Sequence, residues 1–169
     1  MRKEKIQGNS QCVDEFDKGS RFLTNILNCA MLSAVLLCTE KKYDTETVRI
    51  YYKTAMDNKI MRKVVVSERN YTEKGRARLK AFAGKSQGIT NPYDWKFTVE
   101  DGGTINQYTA TFYTCGICTL MNQLGLSEYI PAVCAFDYDL AAMNHTKFTR
   151  EFTLAAGDPY CDCHYDHGR

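Results

Sequence analysis

The fold is decided by the last third of the chain, which reads YTCGICTLMNQLG (residues 113–125), IPAVCAFDYDLA (130–141) and FTREFTLAAGDPYCDCHY (148–165). Five of the eight cysteines lie in this block, residues 113–165, together with several carboxylates and an arginine. The upstream sequence does not concentrate reactive side chains in this way. We therefore expect the residues that carry chemistry to lie in this block.

Two helices are predicted inside the block. Thr114 is suited to be the N-cap of a helix over residues 115–124, and Gly125 is suited to end it. A second helix is predicted from Ser127 to about Met143, because apolar side chains lie along it at helical spacing.

Two β-hairpins are predicted on either side of these helices. The first turns at Asp101-Gly102-Gly103 and the second at Ala156-Gly157-Asp158. The four strands are predicted at residues 95–100, 104–113, 148–154 and 159–165. Upstream helices are predicted at residues 16–38, 44–56 and 72–83, from their apolar periodicity and capping residues. The predicted fold class is α+β, with N-terminal helices packed on an antiparallel sheet of two hairpins and two helices between the hairpins.

Length and composition indicate a single domain over residues 1–169, with residues 1–12 expected to form a flexible tail. A net charge of +2 gives no general attraction to nucleic acid or to a membrane surface. The longest apolar run, Cys29–Cys38, is far shorter than the roughly 20 residues of a membrane-spanning helix. The charged start MRKEKIQGNSQC has no apolar core of the secretory type. We therefore expect a cytoplasmic protein with reduced cysteines.

Cys115 and Cys118 form a CxxC pair at the start of a predicted helix. The free N–H groups and the macrodipole at a helix N-terminus favour a thiolate, which is the nucleophilic form of cysteine. Cys118 lies one turn further on the same face. The pattern alone fits a redox pair, half of a metal site or two small buried side chains.

Cys134 and Asp137 are three residues apart on the next helix and therefore share a face. A carboxylate on an apolar face needs a partner, and Arg150 is a candidate; the pair could equally be structural. Cys161 and Cys163 share one face of a strand, where their Cα separation of about 6.5–7 Å is poorly suited to a disulfide. Zinc could bind thiolates of this kind, but the CxxC and CxC pairs differ from the usual spacing of zinc sites. We therefore expect no metal or cofactor.

A set of short motifs in this block resembles the L-2-amino-thiazoline-4-carboxylic acid hydrolase family. The motifs are Cys115-Gly-Ile-Cys118, Leu126-Ser-Glu-Tyr-Ile-Pro131, Cys134-Ala-Phe-Asp137-Tyr138, Arg150 and Thr153-Leu-Ala-Ala-Gly157-Asp-Pro-Tyr-Cys161-Asp162. The resemblance covers residues 113–165. The family pattern more often has phenylalanine where this chain has Cys163, so we interpret Cys163 as a core residue. The closing hairpin also looks like the four-vinyl-reductase and Bet3-like ligand-binding domains.

The resemblance implies an enzyme that opens a cyclic thiazoline carboxylate by hydrolysis, giving an N-carbamoyl-cysteine. A Cys115 thiolate could attack the ring, or Asp137 could activate water, and Arg150 would suit the substrate carboxylate. The site residues expected are, as catalytic groups, Cys115, Cys134, Asp137 and Cys161 and, as substrate-binding groups, Tyr113, Cys118 and Arg150.

Two other functions are compatible with the sequence. One is a non-catalytic domain of Bet3-like type that binds a small molecule or a metal as a sensor or interaction module. The other is a thiol redox protein, although the βαβ context of thioredoxin-like proteins is absent from the predicted elements. The expected partner is a small-molecule substrate rather than nucleic acid or a membrane, and a homo-oligomer is compatible with the sequence.

Overall fold

A computed structural model describes the chain at residues 20–59, 62–63 and 68–168. The helices whose bounds lie within these ranges are α1 (Leu23–Cys38), α2 (Thr45–Met56), α3 (Glu73–Ser86), α4 (Gly116–Gln123), α5 (Ile130–Cys134) and α6 (Phe136–Met143). The strands are β1 (Phe97–Asp101), β2 (Gln107–Phe112), β3 (Thr146–Thr149) and β4 (Cys161–His167). Short 3-10 turns lie at Glu68–Tyr71, Ser127–Tyr129 and Leu154–Ala156. The α+β class is confirmed. The predicted tail at 1–12 and the predicted helical residues 16–19 lie outside the described ranges.

Local capping chemistry sets several helix ends where the sequence predicts them. The Asp44 carboxylate accepts the N–H of Thr47 at 2.8 Å and begins α2. The Thr72 hydroxyl accepts the N–H of Gly75 at 3.2 Å and begins α3. Gly125, with φ +71°, follows the end of α4. These side chains satisfy N–H groups that a helix cannot satisfy itself.

The four strands form one antiparallel sheet in the order β1-β2-β4-β3. On β2, Ala110 pairs with Val99 of β1 and with Cys163 of β4. Tyr108 and Ala110 are buried on one face of the sheet. The last strand of the chain is therefore an inner strand of the sheet.

The predicted extent of the second hairpin is wrong. β3 ends at Thr149 and β4 begins at Cys161, so residues 150–160 form a long connection. The backbone N–H groups of Glu151 and Phe152 donate to the Asp162 carboxylate, at 3.1 Å and 2.6 Å. Because the Asp162 side chain accepts from backbone N–H groups that could otherwise bond to a neighbouring strand, β3 ends earlier than predicted. The first hairpin also turns over a longer connection than predicted, residues 102–106.

The single helix predicted from Ser127 to Met143 is also wrong. The segment is a 3-10 turn at Ser127–Tyr129 followed by α5 and α6, which Ala135 separates. Pro131 lies in the first turn of α5. Proline has no N–H and is tolerated only in the first turn of a helix, so a new helix has to begin just before it.

Two apolar clusters make up the core. The first joins α1, α2, α4 and α5 around Trp95, Leu120 and Met121. The second lies between the sheet and the helices α3 and α6, and includes Phe97 and Cys163. Cys115, Cys118 and Cys134 pack against the first cluster, whereas Cys161 and Cys163 belong to the second. In the described ranges, no helix has the length and apolarity needed to cross a membrane.

Candidate active site

Cys115 is held in place by the crossover from β2 to α4. Thr114 does not cap α4 as predicted; its hydroxyl accepts the N–H of Lys96 at 2.7 Å and donates to the carbonyl of Asp94 at 3.2 Å. Cys115 itself is the N-cap residue, in an extended conformation (φ −139°, ψ 113°). These two bonds tie Thr114 to the segment before β1, which fixes where Cys115 lies.

Gly116 lets the start of α4 approach the segment before β1 closely. A Cβ at this position would lie 1.8 Å from the carbonyl oxygen of Tyr93 and 2.9 Å from the Trp95 ring. Real Cβ atoms do not come within 3.0 Å of such neighbours. The glycine in Cys115-Gly116-Ile117-Cys118 is therefore required by packing.

The pKa values of the two cysteines of the CxxC motif are shifted in opposite directions. A hydrogen bond from the Cys118 thiol, with further bonds from the backbone N–H groups of Cys118 and Ile117, lowers the pKa of Cys115, although burial opposes this effect. The pKa of Cys118 is raised, because it donates its proton to Cys115 and because it is buried. Cys115 is therefore the more acidic cysteine of the pair, and Cys118 is its hydrogen-bond donor.

Arg150 joins α5, α6 and the connection after β3. Its Nη1 donates to Asp137 Oδ2 at 3.1 Å, and its Nη2 donates to the carbonyl of Cys134 at 3.4 Å. The guanidinium also lies 5.7 Å from the centre of the Tyr138 ring and 5.6 Å from that of Phe148. Only 9% of the Arg150 side chain is exposed. The predicted Asp137–Arg150 pair is present.

Asp137 lies deep in the fold, yet 44% of its side chain is accessible, because it borders a cavity. Burial raises its pKa, and the charge and hydrogen bond of Arg150 lower it in part. The net effect is a carboxyl whose pKa is higher than usual. Such a group can exchange protons closer to neutral pH than an ordinary aspartate.

Cys161 and Cys163 are the two cysteines that β4 contributes near the other site residues. The Cys161 sulfur accepts the N–H of Leu154 at 3.2 Å and lies 3.6 Å from the Thr153 hydroxyl. Burial raises the pKa of Cys161 and raises that of Cys163 to about 12, so both stay thiols near neutral pH. Cys163 is 4% exposed, which confirms the prediction that it is a core residue.

The structure brings six of the seven predicted site residues together. Electrostatic coupling links Cys115 to Asp137, and links Cys115, Cys118, Cys134 and Cys161 to one another. We call these six residues the cysteine group: Cys115, Cys118, Cys134, Asp137, Arg150 and Cys161. It lies where the two apolar clusters meet. Tyr113 is the exception, since its ring is 47% exposed and its hydroxyl lies 3.5 Å from that of Thr98.

Asp162 was quoted in the family motif without a role, and the structure shows what it contacts. Beyond its bonds to Glu151 and Phe152, its carboxylate lies 3.1 Å from the ring of His164. Burial alone would raise its pKa, but these hydrogen bonds lower it overall. Asp162 thus holds the connection that carries Arg150. The sequence could have indicated this role, because Asp162 is a motif aspartate on the strand face opposite the buried Cys161.

A cavity of about 710 Å³ lies between α3 and α6 over the sheet, and sequence reasoning missed it. Sheet residues such as Tyr108 and Ala110 form its floor, and Leu79 and Leu140 belong to its walls. Asp137 is the one member of the cysteine group that lines it. Within residues 20–59, 62–63 and 68–168, no group of three or more His, Cys, Asp or Glu side chains is placed to hold a metal ion.

Comparison with known proteins identifies a family for this chain. A family model described as L-2-amino-thiazoline-4-carboxylic acid hydrolase matches residues 24–165. The match therefore extends upstream of the motifs at 113–165 and includes α1, α2 and α3. No curated protein matches the chain, and no solved structure matches it.

Proposed function

The chain belongs to the L-2-amino-thiazoline-4-carboxylic acid hydrolase family, and from this premise we propose that it opens a 2-amino-thiazoline-4-carboxylate ring with water to give N-carbamoyl-cysteine. In this reaction the ring carbon between sulfur and nitrogen gains an oxygen from water. The bond from that carbon to the ring sulfur breaks, the sulfur leaves as a thiol, and the ring nitrogen keeps its bond to carbon and gains a proton.

The observation that carries the proposal is the position of Cys115 as the N-cap residue of α4, where the Cys118 thiol and two backbone N–H groups donate to its sulfur and lower its pKa. Its thiolate attacks the ring carbon, and the ring sulfur leaves with its bonding electrons. Water then attacks the same carbon, and the Cys115 thiolate departs from it, which restores the enzyme. Covalent attack divides one difficult hydrolysis into two easier steps.

Asp137 is proposed to move the protons. Its raised pKa suits a group that protonates the ring nitrogen and then takes a proton from the attacking water. Arg150 contacts the Asp137 carboxylate and the Cys134 carbonyl, so it orients Asp137. Guanidinium has five N–H donors, and the remaining ones suit the substrate carboxylate.

The other cysteines are proposed to act as thiols. Cys118 donates to Cys115 and so keeps it ionised. Cys134 and Cys161 have pKa values raised by burial, so each keeps a proton that can stabilise the departing ring sulfur. A substrate contact for Tyr113 stays a prediction.

The test is turnover of 2-amino-thiazoline-4-carboxylate, measured as N-carbamoyl-cysteine by mass spectrometry. We expect Cys115→Ser to lower kcat/KM by about 1,000-fold or more and Asp137→Asn to lower it by about 100-fold. The matched controls are Cys38→Ser, an exposed cysteine, and Asp139→Asn, which pairs with Lys53 on the neighbouring helix. Both controls should keep wild-type turnover. Full activity in both Cys115→Ser and Asp137→Asn would end the assignment.

A non-catalytic small-molecule-binding domain is the second candidate. It is favoured by the cavity, whose described lining includes Asp137 but none of the cysteines. Tight binding of a ligand without any product, in a sample with reduced cysteines, would favour this candidate over the hydrolase.

A further inference from the structure

The cavity between α3 and α6 has a lining with two chemically different parts. Its floor and walls include many apolar and aromatic side chains, with some uncharged polar ones such as Asn70, Asn144 and Thr146; the apolar and aromatic ones include Phe22, Leu79, Phe82, Phe97, Tyr108 and Phe112. Four cationic side chains also line it, namely Arg21, Arg69, Lys74 and Arg78, and all four are exposed, which places them at its mouth. A single carboxylate, Asp137, lies among the described lining residues.

Three of the four cations, Arg21, Lys74 and Arg78, form no ion pair with a carboxylate of the described residues. Arg76 and Lys80 of α3, in contrast, both bind Asp101. The Arg21 charge acts on the Tyr108 phenol at the cavity floor. Cations grouped at the entrance of an apolar cavity attract an anion and concentrate it there.

The volume indicates the size of the occupant. About 710 Å³ falls within the range of roughly 300–1,000 Å³ that holds drug-sized ligands. A thiazoline carboxylate would leave most of it empty. Ala110 and Ala141 also line this space, and their short side chains leave it unfilled.

We propose that this cavity binds an amphipathic organic anion, with an apolar or aromatic body on the sheet floor and a carboxylate, sulfonate or phosphate group among the cations at the mouth. Apolar burial supplies affinity, and the cations select for the charge. The site is separate from the ring-opening chemistry and meets it only at Asp137.

The probe for the test is 8-anilinonaphthalene-1-sulfonate, an aromatic anion whose fluorescence rises in apolar surroundings. N-phenyl-1-naphthylamine has the same aromatic body without the charge. We expect the full chain to bind the sulfonate at one saturable site. Arg21→Glu combined with Arg78→Glu should weaken binding of the sulfonate by about tenfold and change binding of the neutral probe by less than about twofold.

The matched control is Lys85→Glu, an exposed lysine of α3 outside the cavity, which should leave both affinities unchanged. Thermal unfolding of each variant shows whether it is folded. The proposal is overturned if the sulfonate shows no saturable binding, if the Arg21/Arg78 variant binds it as well as the wild type, or if Lys85→Glu weakens it equally. Product formation plays no part in this measurement, so the proposed hydrolysis and this binding site can fail independently.

Discussion

Replacing Gly116 by alanine should disturb both stability and the reactivity of Cys115. The new Cβ would lie 1.8 Å from the Tyr93 carbonyl oxygen, and a contact of at least 3.0 Å is needed. The start of α4 therefore has to move by about 1.2 Å, and Cys115 moves with it. Overpacking of this kind costs about 1–3 kcal/mol, and a shift of about 1 Å at a reacting group lowers turnover by about 100-fold.

The assay compares urea unfolding and ring opening in Gly116→Ala with those in a matched control, Gly84→Ala. Gly84 lies in α3 and a Cβ there meets nothing within 4 Å, so alanine should stabilise the helix by about 0.5–1 kcal/mol. Both variants replace a helical glycine by alanine, but only Gly116→Ala introduces the close contact. If Gly116→Ala is as stable as Gly84→Ala and turns over substrate like the wild type, the packing argument for Cys115 is refuted.

Three further outcomes are expected. Iodoacetamide at neutral pH should label Cys115 before the other cysteines, because its pKa is lowered, and Cys118→Ala should slow that labelling. Peptide mass spectrometry measures both effects. Equal labelling of all the cysteines would contradict the assignment of Cys115 as the thiolate. Asp162→Ala should lower the free energy of unfolding by about 2–3 kcal/mol, since two backbone N–H groups lose a charged acceptor. The pKa of Asp162 is lowered in the folded state, so its contribution to stability is present above about pH 4 and is lost as the pH falls through the folded pKa. In urea titrations, the stability difference between the wild type and Asp162→Ala should therefore be smaller at acidic than at neutral pH. An equal difference at both pH values would contradict this role of the carboxylate. Arg150→Met should raise the pKa of Asp137 further. Because Asp137 is proposed to act first as an acid, the alkaline limb of the kcat/KM profile should move to higher pH, whereas an unmoved limb would mean that another group sets it.

Local sequence chemistry was sufficient for much of the fold. Asp44 begins its helix and Gly125 follows the end of its helix as predicted, because capping and left-handed turns depend on only a few neighbouring residues. Each of these features is decided within one or two turns of chain.

Features that depend on distant partners could not be predicted in this way. Asp162 takes donors from residues ten and eleven positions away and ends β3 early, which alternation in the strand does not indicate. Thr114 bonds to Lys96 and Asp94 across the β1–β2 hairpin and leaves the cap position to Cys115. The site residues were found by motif, but their acidities follow from burial and from neighbours that only the fold supplies.

The inner position of β4 has a consequence for the order in which the nascent chain can fold. β2 and β3 are both complete before β4 is synthesised, yet each pairs with β4 along one edge. Until residues 161–167 have been added, β3 has no strand partner and β2 has one edge open, and exposed edges of this kind invite aggregation. Cys161 arrives with the same strand. An interrupted translation product therefore contains Cys115 but neither a closed sheet nor the complete cysteine group.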